Sequence, residues 1–192
     1  MQPNVVEHFV TKEICDLINP YLEGNSGEHP IDIPHPQGKT HTIVYSNGEI
    51  KFFEWDPQTL GDQRLLVFNI INLIHQAIAP YFGFPKDKLQ LKGLEYTLQQ
   101  AGQGLSLHTD TGVSKNGVHS AILYLTDDYE EGEIVFYDTH LQQDPIPTKY
   151  KPKAGTLIHF PGTEDYPHEV LPVKSGKRGA LVLFFENVMP TA

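Results

Sequence analysis

The sequence predicts a mainly β fold with helices at its start, on three observations. From about residue 90 onward, short apolar runs alternate with turn residues: "LQLKGLEYTLQQ", "HSAILYLTD", "EIVFYD", "GTLIHF", "HEVLPV" and "GALVLFFENV". Closely spaced strands of this kind belong to a β-sandwich or barrel. The 16 glycines and 15 prolines among 192 residues supply the many turns such a fold needs. Helical spacing of apolar residues, by contrast, is confined to the first half of the chain.

The elements follow in order. Thr11 to Leu22 reads as a helix: Thr11 can cap it, and Ile14, Leu17 and Ile18 recur at helical spacing. Gly24 to Lys39 is rich in Gly, Pro, His and Asp and reads as a long loop. "HTIVY" (His41–Tyr45) and "IKFFEW" (Ile50–Trp55), parted by Ser46-Asn47-Gly48, give a hairpin signal. A second helix is predicted from about Leu60 to Phe82, with Leu65, Phe68, Ile71, Ile74, Ile78 and Phe82 forming its apolar stripe. The strands come next. There is no internal repeat and no linker, so one domain over 1–192 is expected, with a helical and hairpin part to about 88 and a β core over about 89–188.

A net charge of −10 repels phosphate backbones, so nucleic-acid binding is not expected. Cys15 is the single cysteine, and its place in an apolar helical pattern makes it a core residue rather than a nucleophile. The opening "MQPNVVEHFV" has no signal-peptide character. No apolar run approaches the ~20 residues of a membrane span, so a soluble, cytoplasmic protein without a membrane partner is expected.

"LSLHTDTGVSKNGVHSAILYLTDD" raises the chemical question. In extended chain His108 and Asp110 share a face, which gives two ligands of the two-His, one-carboxylate site that binds non-haem iron with open positions. The second His must come from downstream. His140 reads as a loop residue, His119 could line a pocket, and spacing alone does not choose between His159 and His168. Arg178 favours His168: it stands ten residues further on, at the root of a strongly apolar strand. An Arg there needs an anionic partner, and its planar fork matches a carboxylate. A His ligand followed by a carboxylate-binding Arg suits 2-oxoglutarate, which can chelate iron at one end and needs a cation at the other.

These pieces resemble an iron(II)/2-oxoglutarate-dependent dioxygenase of the prolyl 4-hydroxylase type, over about Val5 to Asn187. "HFVTKEICDLI" is similar to the family's opening helix, and "AGQGLSLHTD" to its Gly-Gln turn and His-x-Asp. "AILYLTDDYEEGEIVFY", "YKPKAGTLIHFPG" and "HEVLPVKSGKRGALVLFFEN" follow in the family's order. The resemblance implies a double-stranded β-helix (a jelly roll, cupin-like) buttressed by helices. It implies His108, Asp110 and His168 as iron ligands. Arg178 then pairs with the far carboxylate of 2-oxoglutarate, with Lys177 as the neighbouring alternative, and the hydroxyl of Tyr124 supports the same carboxylate. Thr156 and His159 are weaker pocket candidates.

The implied cofactor is Fe(II), with 2-oxoglutarate and O2 as cosubstrates and ascorbate as a reductant. The implied reaction hydroxylates an unactivated C–H with release of succinate and CO2; related halogenases lack the carboxylate that Asp110 provides. The expected substrate is a prolyl residue of a protein or peptide. The alternatives are a free amino acid or other small metabolite and, in a different class, a non-catalytic cupin-like sensor. Two departures from the family stand near the pocket: Gln99 where many relatives carry Tyr, and Leu105 where many carry an aromatic. Gly24–Lys39 and Asp138–Lys151 are the candidate lids.

Overall fold

The computed structural model describes residues 2–24, 39–46, 49–51, 61–112, 118–138 and 147–187. Helix α1 spans Lys12–Gly24 and α2 spans Gly61–Ile78. The strands are β1 (Asn4–Val6), β2 (Lys39–Ser46), β3 (Glu49–Lys51), β4 (Leu89–Gln99), β5 (Leu105–His108), β6 (Val118–Tyr124) and β7 (Glu130–Glu131). They continue with β8 (Ile134–Tyr137), β9 (Pro147–Tyr150), β10 (Leu157–Pro161), β11 (His168–Val170), β12 (Val173–Ser175) and β13 (Arg178–Asn187). Among the described residues they form a major sheet, β1-β10-β6-β13-β4-β2-β3, a minor sheet, β5-β11-β8-β9, and a small β12-β7 pair. This is the expected double-stranded β-helix with helices on one side.

The pleat of the major sheet sorts its residues. Leu94, Tyr96 and Leu98 of β4, Ala121 and Leu123 of β6, and Leu181, Leu183 and Phe185 of β13 pack with Cys15, Ile18 and Leu22 of α1 and Ile70, Ile74 and Ile78 of α2. The alternate residues Ile122, Tyr124, Ile158, Phe160 and Ala180 face the other way, against Ile134, Phe136 and Val170 of the minor sheet. The helices therefore buttress the outer face, and a second core lies between the sheets. Cys15 is fully buried in the first core, and burial pushes its thiol up to about 11, as befits a packing residue.

Several elements differ from the sequence reading. The α-helix stops at Ile78 and continues as a 3₁₀ turn over Ala79–Phe82, because Pro80 has no N–H to donate. "HEVLPV" is two strands: Pro172 cannot extend a ladder, so β11 stays in the minor sheet while β12 leaves to pair with β7. The segment Asp138–Lys151 is not all loop, since Pro147–Tyr150 pairs with β8; residues 139–146 lie outside the described residues, as do His140 and 25–38 of the other candidate lid. The hairpin forms by β2 and β3, with Ser46 opposite Glu49, and residues 52–55 of its second run lie outside the described residues. The short β1, not foreseen, closes the major sheet against β10. No described helix is long and apolar enough to cross a membrane.

His119 and His159 lie on the helix side of the major sheet. His119 packs on Phe82 at 3.6 Å between ring centroids, and His159 meets Tyr81 edge-on at 4.8 Å. Both nitrogens of His159 and Nδ1 of His119 are buried without a hydrogen-bond partner. Burial lowers both imidazoles to about 4, with His119 adding repulsion at His159. Unfolded, each would titrate at the ordinary value of ~6.5. Between those values the unfolded chain binds more protons, so stability is present above pH 6.5 and falls as pH drops toward 4. We expect His159→Leu to hold or gain stability at pH 7, by about 1 kcal/mol for removal of an unsatisfied polar group. Its melting temperature, measured with chelator present, should fall less than that of the wild type between pH 7 and pH 4.5.

Candidate active site

The turn Gln100–Gly104 joins β4 to β5. Its Gln103 side chain accepts a hydrogen bond from the Gln100 N–H at 2.8 Å, and Val173 brackets it: the Gly102 N–H donates to the Val173 carbonyl at 2.8 Å, and the Val173 N–H donates to the Gln103 carbonyl at 3.0 Å. Gly104 is required at its position, since a Cβ there would lie 2.5 Å from the Val170 carbonyl oxygen. The close approach brings β5 beside β11, and His108 pairs directly with His168.

Asp110 is not in a strand. β5 ends at His108, and Asp110 opens a 3₁₀ turn over Asp110–Gly112. The two still converge: His108 Nε2 is 3.6 Å and His168 Nε2 is 4.0 Å from Asp110 Oδ1. The Ser120 hydroxyl of β6 donates a short hydrogen bond to Asp110 Oδ2 and holds the carboxylate in place. His108 Nδ1 faces the Ser106 carbonyl at 2.8 Å, and His168 Nδ1 faces the Tyr166 carbonyl at 3.0 Å. A carbonyl only accepts, so each Nδ1 carries a proton, and in the neutral imidazole each Nε2 presents a lone pair. In that form three lone-pair donors meet within 4.8 Å of one another. That is a repulsive arrangement unless a cation joins them, and a metal ion fits the donor set. His168 packs between Phe136 and Phe160, and this burial lowers its pKa, Asp110 opposing and His108 adding to the shift.

The cavity that holds this cluster runs between the sheets to Arg178. Gly176 makes the preceding turn at φ +81°, where a Cβ would lie 2.3 Å from the Asp128 carbonyl oxygen. Arg178 is only 2% exposed. Its Nη1 donates to Gln99 Oε1 at 2.6 Å and its Nη2 to the Tyr124 hydroxyl at 3.0 Å, and its Nε is buried without a partner. No described carboxylate pairs with it; Glu186, at the far end of β13, pairs with Lys92 at 2.6 Å. Lys177 points away to Glu23, which leaves Arg178 as the cation of the cavity. Burial raises the Tyr124 phenol against the pull of Arg178, so it stays protonated and its O–H is free to donate.

His108, Asp110, His168, Arg178 and Tyr124 therefore come together as the sequence predicted. Thr156 and His159 do not. Thr156 opens toward His8 and Lys153 near β1, and His159 faces the helices. β10 carries no bulge that would turn His159 inward, and Thr156 stands just before that strand. Sequence reasoning missed the roles of Gln99 and Ser120 and the closeness of Tyr129. The Tyr129 phenol is buried without a hydrogen-bond partner and is pushed up to about 12 by burial, with Arg178 opposing. Gln99 was visible only as a departure from the family, in place of a Tyr.

Residues 91–186 match the sequence profile of the 2OG-Fe(II) oxygenase superfamily. The chain belongs to that superfamily. Its cofactors are iron(II) and 2-oxoglutarate, and the His-Asp-His cluster is a metal site fitted to the first of them. Human prolyl 3-hydroxylase 2 is 40% identical over 67 residues, which is 35% of this chain and 9% of that protein. The chain thus spans only a small part of the curated relatives it matches. An oxidoreductase of the 2OG-Fe(II) oxygenase family from Burkholderia pseudomallei aligns with a TM-score of 0.68 at 17% identity, covering 96% of this chain and 84% of that one. The viral collagen prolyl hydroxylase of Paramecium Bursaria Chlorella virus-1, solved with 2-oxoglutarate, gives 0.64 at 18% identity, covering 98% and 97%. These structures establish the shared fold.

Removing one donor should spoil the cluster. We expect Asp110→Ala and His168→Ala to lose metal, while His159→Ala retains it. Ser120→Ala should weaken binding by about 10- to 100-fold, the usual effect of losing a group that orients a ligand. Titration of each variant with Mn(II), followed by paramagnetic resonance, measures all four.

Proposed function

We propose that this chain is an iron(II)- and 2-oxoglutarate-dependent hydroxylase whose substrate is a prolyl residue of a protein or peptide. The observation that carries the cosubstrate reading is Arg178: a buried cation with two aligned neutral partners, no described carboxylate, and the metal-type donor cluster in the same cavity. An unpaired buried charge is costly, and an anionic ligand removes that cost. The prolyl reading rests on likeness to prolyl 3-hydroxylases over 67 residues and to prolyl hydroxylase folds.

In this reading His108, Asp110 and His168 would hold the iron as a two-His, one-carboxylate donor set. The bound iron, with 2-oxoglutarate and O2, supplies oxidising power to replace a C–H by C–OH, with succinate and CO2 as coproducts. The chain's own part is positional. Arg178 and Tyr124 grip the distal carboxylate, Gln99 fixes the plane of the guanidinium, and Ser120 fixes Asp110. Leu105, Ile122, Ile134, Val170 and Val182 line the cavity with apolar surface that excludes water.

The test is conversion of 2-oxoglutarate to succinate, together with gain of one oxygen by proline-containing peptides in mass spectrometry. Absence of both with iron bound would refute the proposal. Loss of a charge-assisted bond is worth ~1.5–3 kcal/mol, so Arg178→Met should raise the apparent constant for 2-oxoglutarate by about one to two orders of magnitude. Arg178→Lys should be intermediate, and Tyr124→Phe milder. Gln99→Glu is the sharper probe. It places a carboxylate on Arg178, so the cosubstrate-free protein should melt higher while 2-oxoglutarate binds at least tenfold more weakly. A variant that melts higher and still binds 2-oxoglutarate normally would move the anchor elsewhere.

A further inference from the structure

Glu95 lines the same cavity and has no part in the chemistry described above. It sits on β4 opposite Val182 of β13, which in turn pairs with Ile122 of β6. Phe184, two residues beyond Val182, is opposite Ser120, the residue that holds Asp110. Glu95 is four residues from Gln99, so roughly 13 Å of extended strand separate it from the Arg178 anchor. It therefore occupies the metal end of the cavity, where substrate must approach.

Among the described residues, no side-chain hydrogen bond or ion pair engages its carboxylate. Burial, and then the charge of Asp110, raise its pKa above the ordinary glutamate range. The ionised form is thus the one for which the free site provides no compensation. The charges lining the cavity make the point again. Iron(II) and the doubly anionic cosubstrate cancel, and Arg178 cancels Asp110. The carboxylate of Glu95 is the charge left over.

We infer that Glu95 selects the substrate, pairing with a cationic nitrogen carried close to the carbon that is hydroxylated. This rests on the hydroxylase reading and narrows its substrate class. The amide nitrogen of an internal prolyl residue has neither charge nor N–H, so the cation must come from elsewhere. The ammonium of a free amino acid or the side chain of a neighbouring basic residue would each supply it. A neutral or acidic neighbour would leave Glu95 uncompensated or repelled.

Calorimetry on full-length protein loaded with Mn(II) and 2-oxoglutarate under argon separates these cases without turnover. One arm compares L-proline with N-acetyl-L-proline. The other compares acetyl-X-prolyl-glycinamide and acetyl-glycyl-prolyl-X-amide with X as lysine or norleucine. We expect the cationic member to bind about tenfold more tightly in at least one arm, which identifies the source of the nitrogen. Glu95→Gln, close in shape but uncharged, should bring that ratio near one. A ratio near one in both arms of the wild type, no binding of any cationic probe, or a preference that survives in Glu95→Gln overturns the inference. If 2-oxoglutarate itself fails to bind the wild type, the hydroxylase reading falls and this one with it. If it binds and no cation preference appears, only the role of Glu95 falls.

Discussion

β13 is the strand to which both halves of the molecule are fastened. It pairs with β4 on one side and β6 on the other, and its pleat sends successive side chains to opposite faces. Leu181, Leu183 and Phe185 close the core under the helices, while Arg178, Val182 and Phe184 line the cavity between the sheets. A slip of one residue would drive the guanidinium into the helix-packed core and turn leucines into the cavity. Register is therefore fixed by the cost of burying Arg178 on the wrong face, far above the worth of any single apolar contact.

The cavity that results holds its functional groups under electrostatic tension. Two imidazoles aim lone pairs at a carboxylate, and a cation lies buried with only neutral partners. Neighbouring groups hold this geometry. Backbone carbonyls set both histidine tautomers, Ser120 anchors Asp110, and Gln99 and Tyr124 aim Arg178. A site prearranged in this way favours its ligands, because a metal and an anion would remove the repulsion and the bare charge together.

The histidines show how environment decides role. His168 and His159 lie on strands of the same β core, both deeply buried. His168 has Asp110 and His108 before it and a carbonyl behind it. His159 has aromatic rings around it and no polar partner at either nitrogen. The first arrangement is that of a ligand, the second that of a packing residue which acid would destabilise.

Much of this was legible in the residues. Periodicity shows α1, most of α2 and the strands of the β core, because one face of each must be apolar. His108 and Asp110 were legible from their spacing, which puts both on one face of extended chain, and Arg178 as a cation at the root of an apolar strand. The choice of His168 needed a second clue, the cation ten residues on. Other features depended on partners distant in sequence. Leu91 and Leu94 both face the helices although three apart, because β4 bulges opposite Phe184 and Phe185. β1 and β9 are too short and polar to announce themselves, and exist through the strands they join. Ser120, Gln99 and Glu95 are ordinary polar residues in sequence, and only pairing across β6, β13 and β4 brings them to the cavity. The sequence by itself determined which chemistry the chain can hold, since ligand and anchor types are properties of side chains. Which of those groups meet, and which charge is left for a substrate, was decided by tertiary register, because strand pairing alone sets distances between residues far apart in the chain.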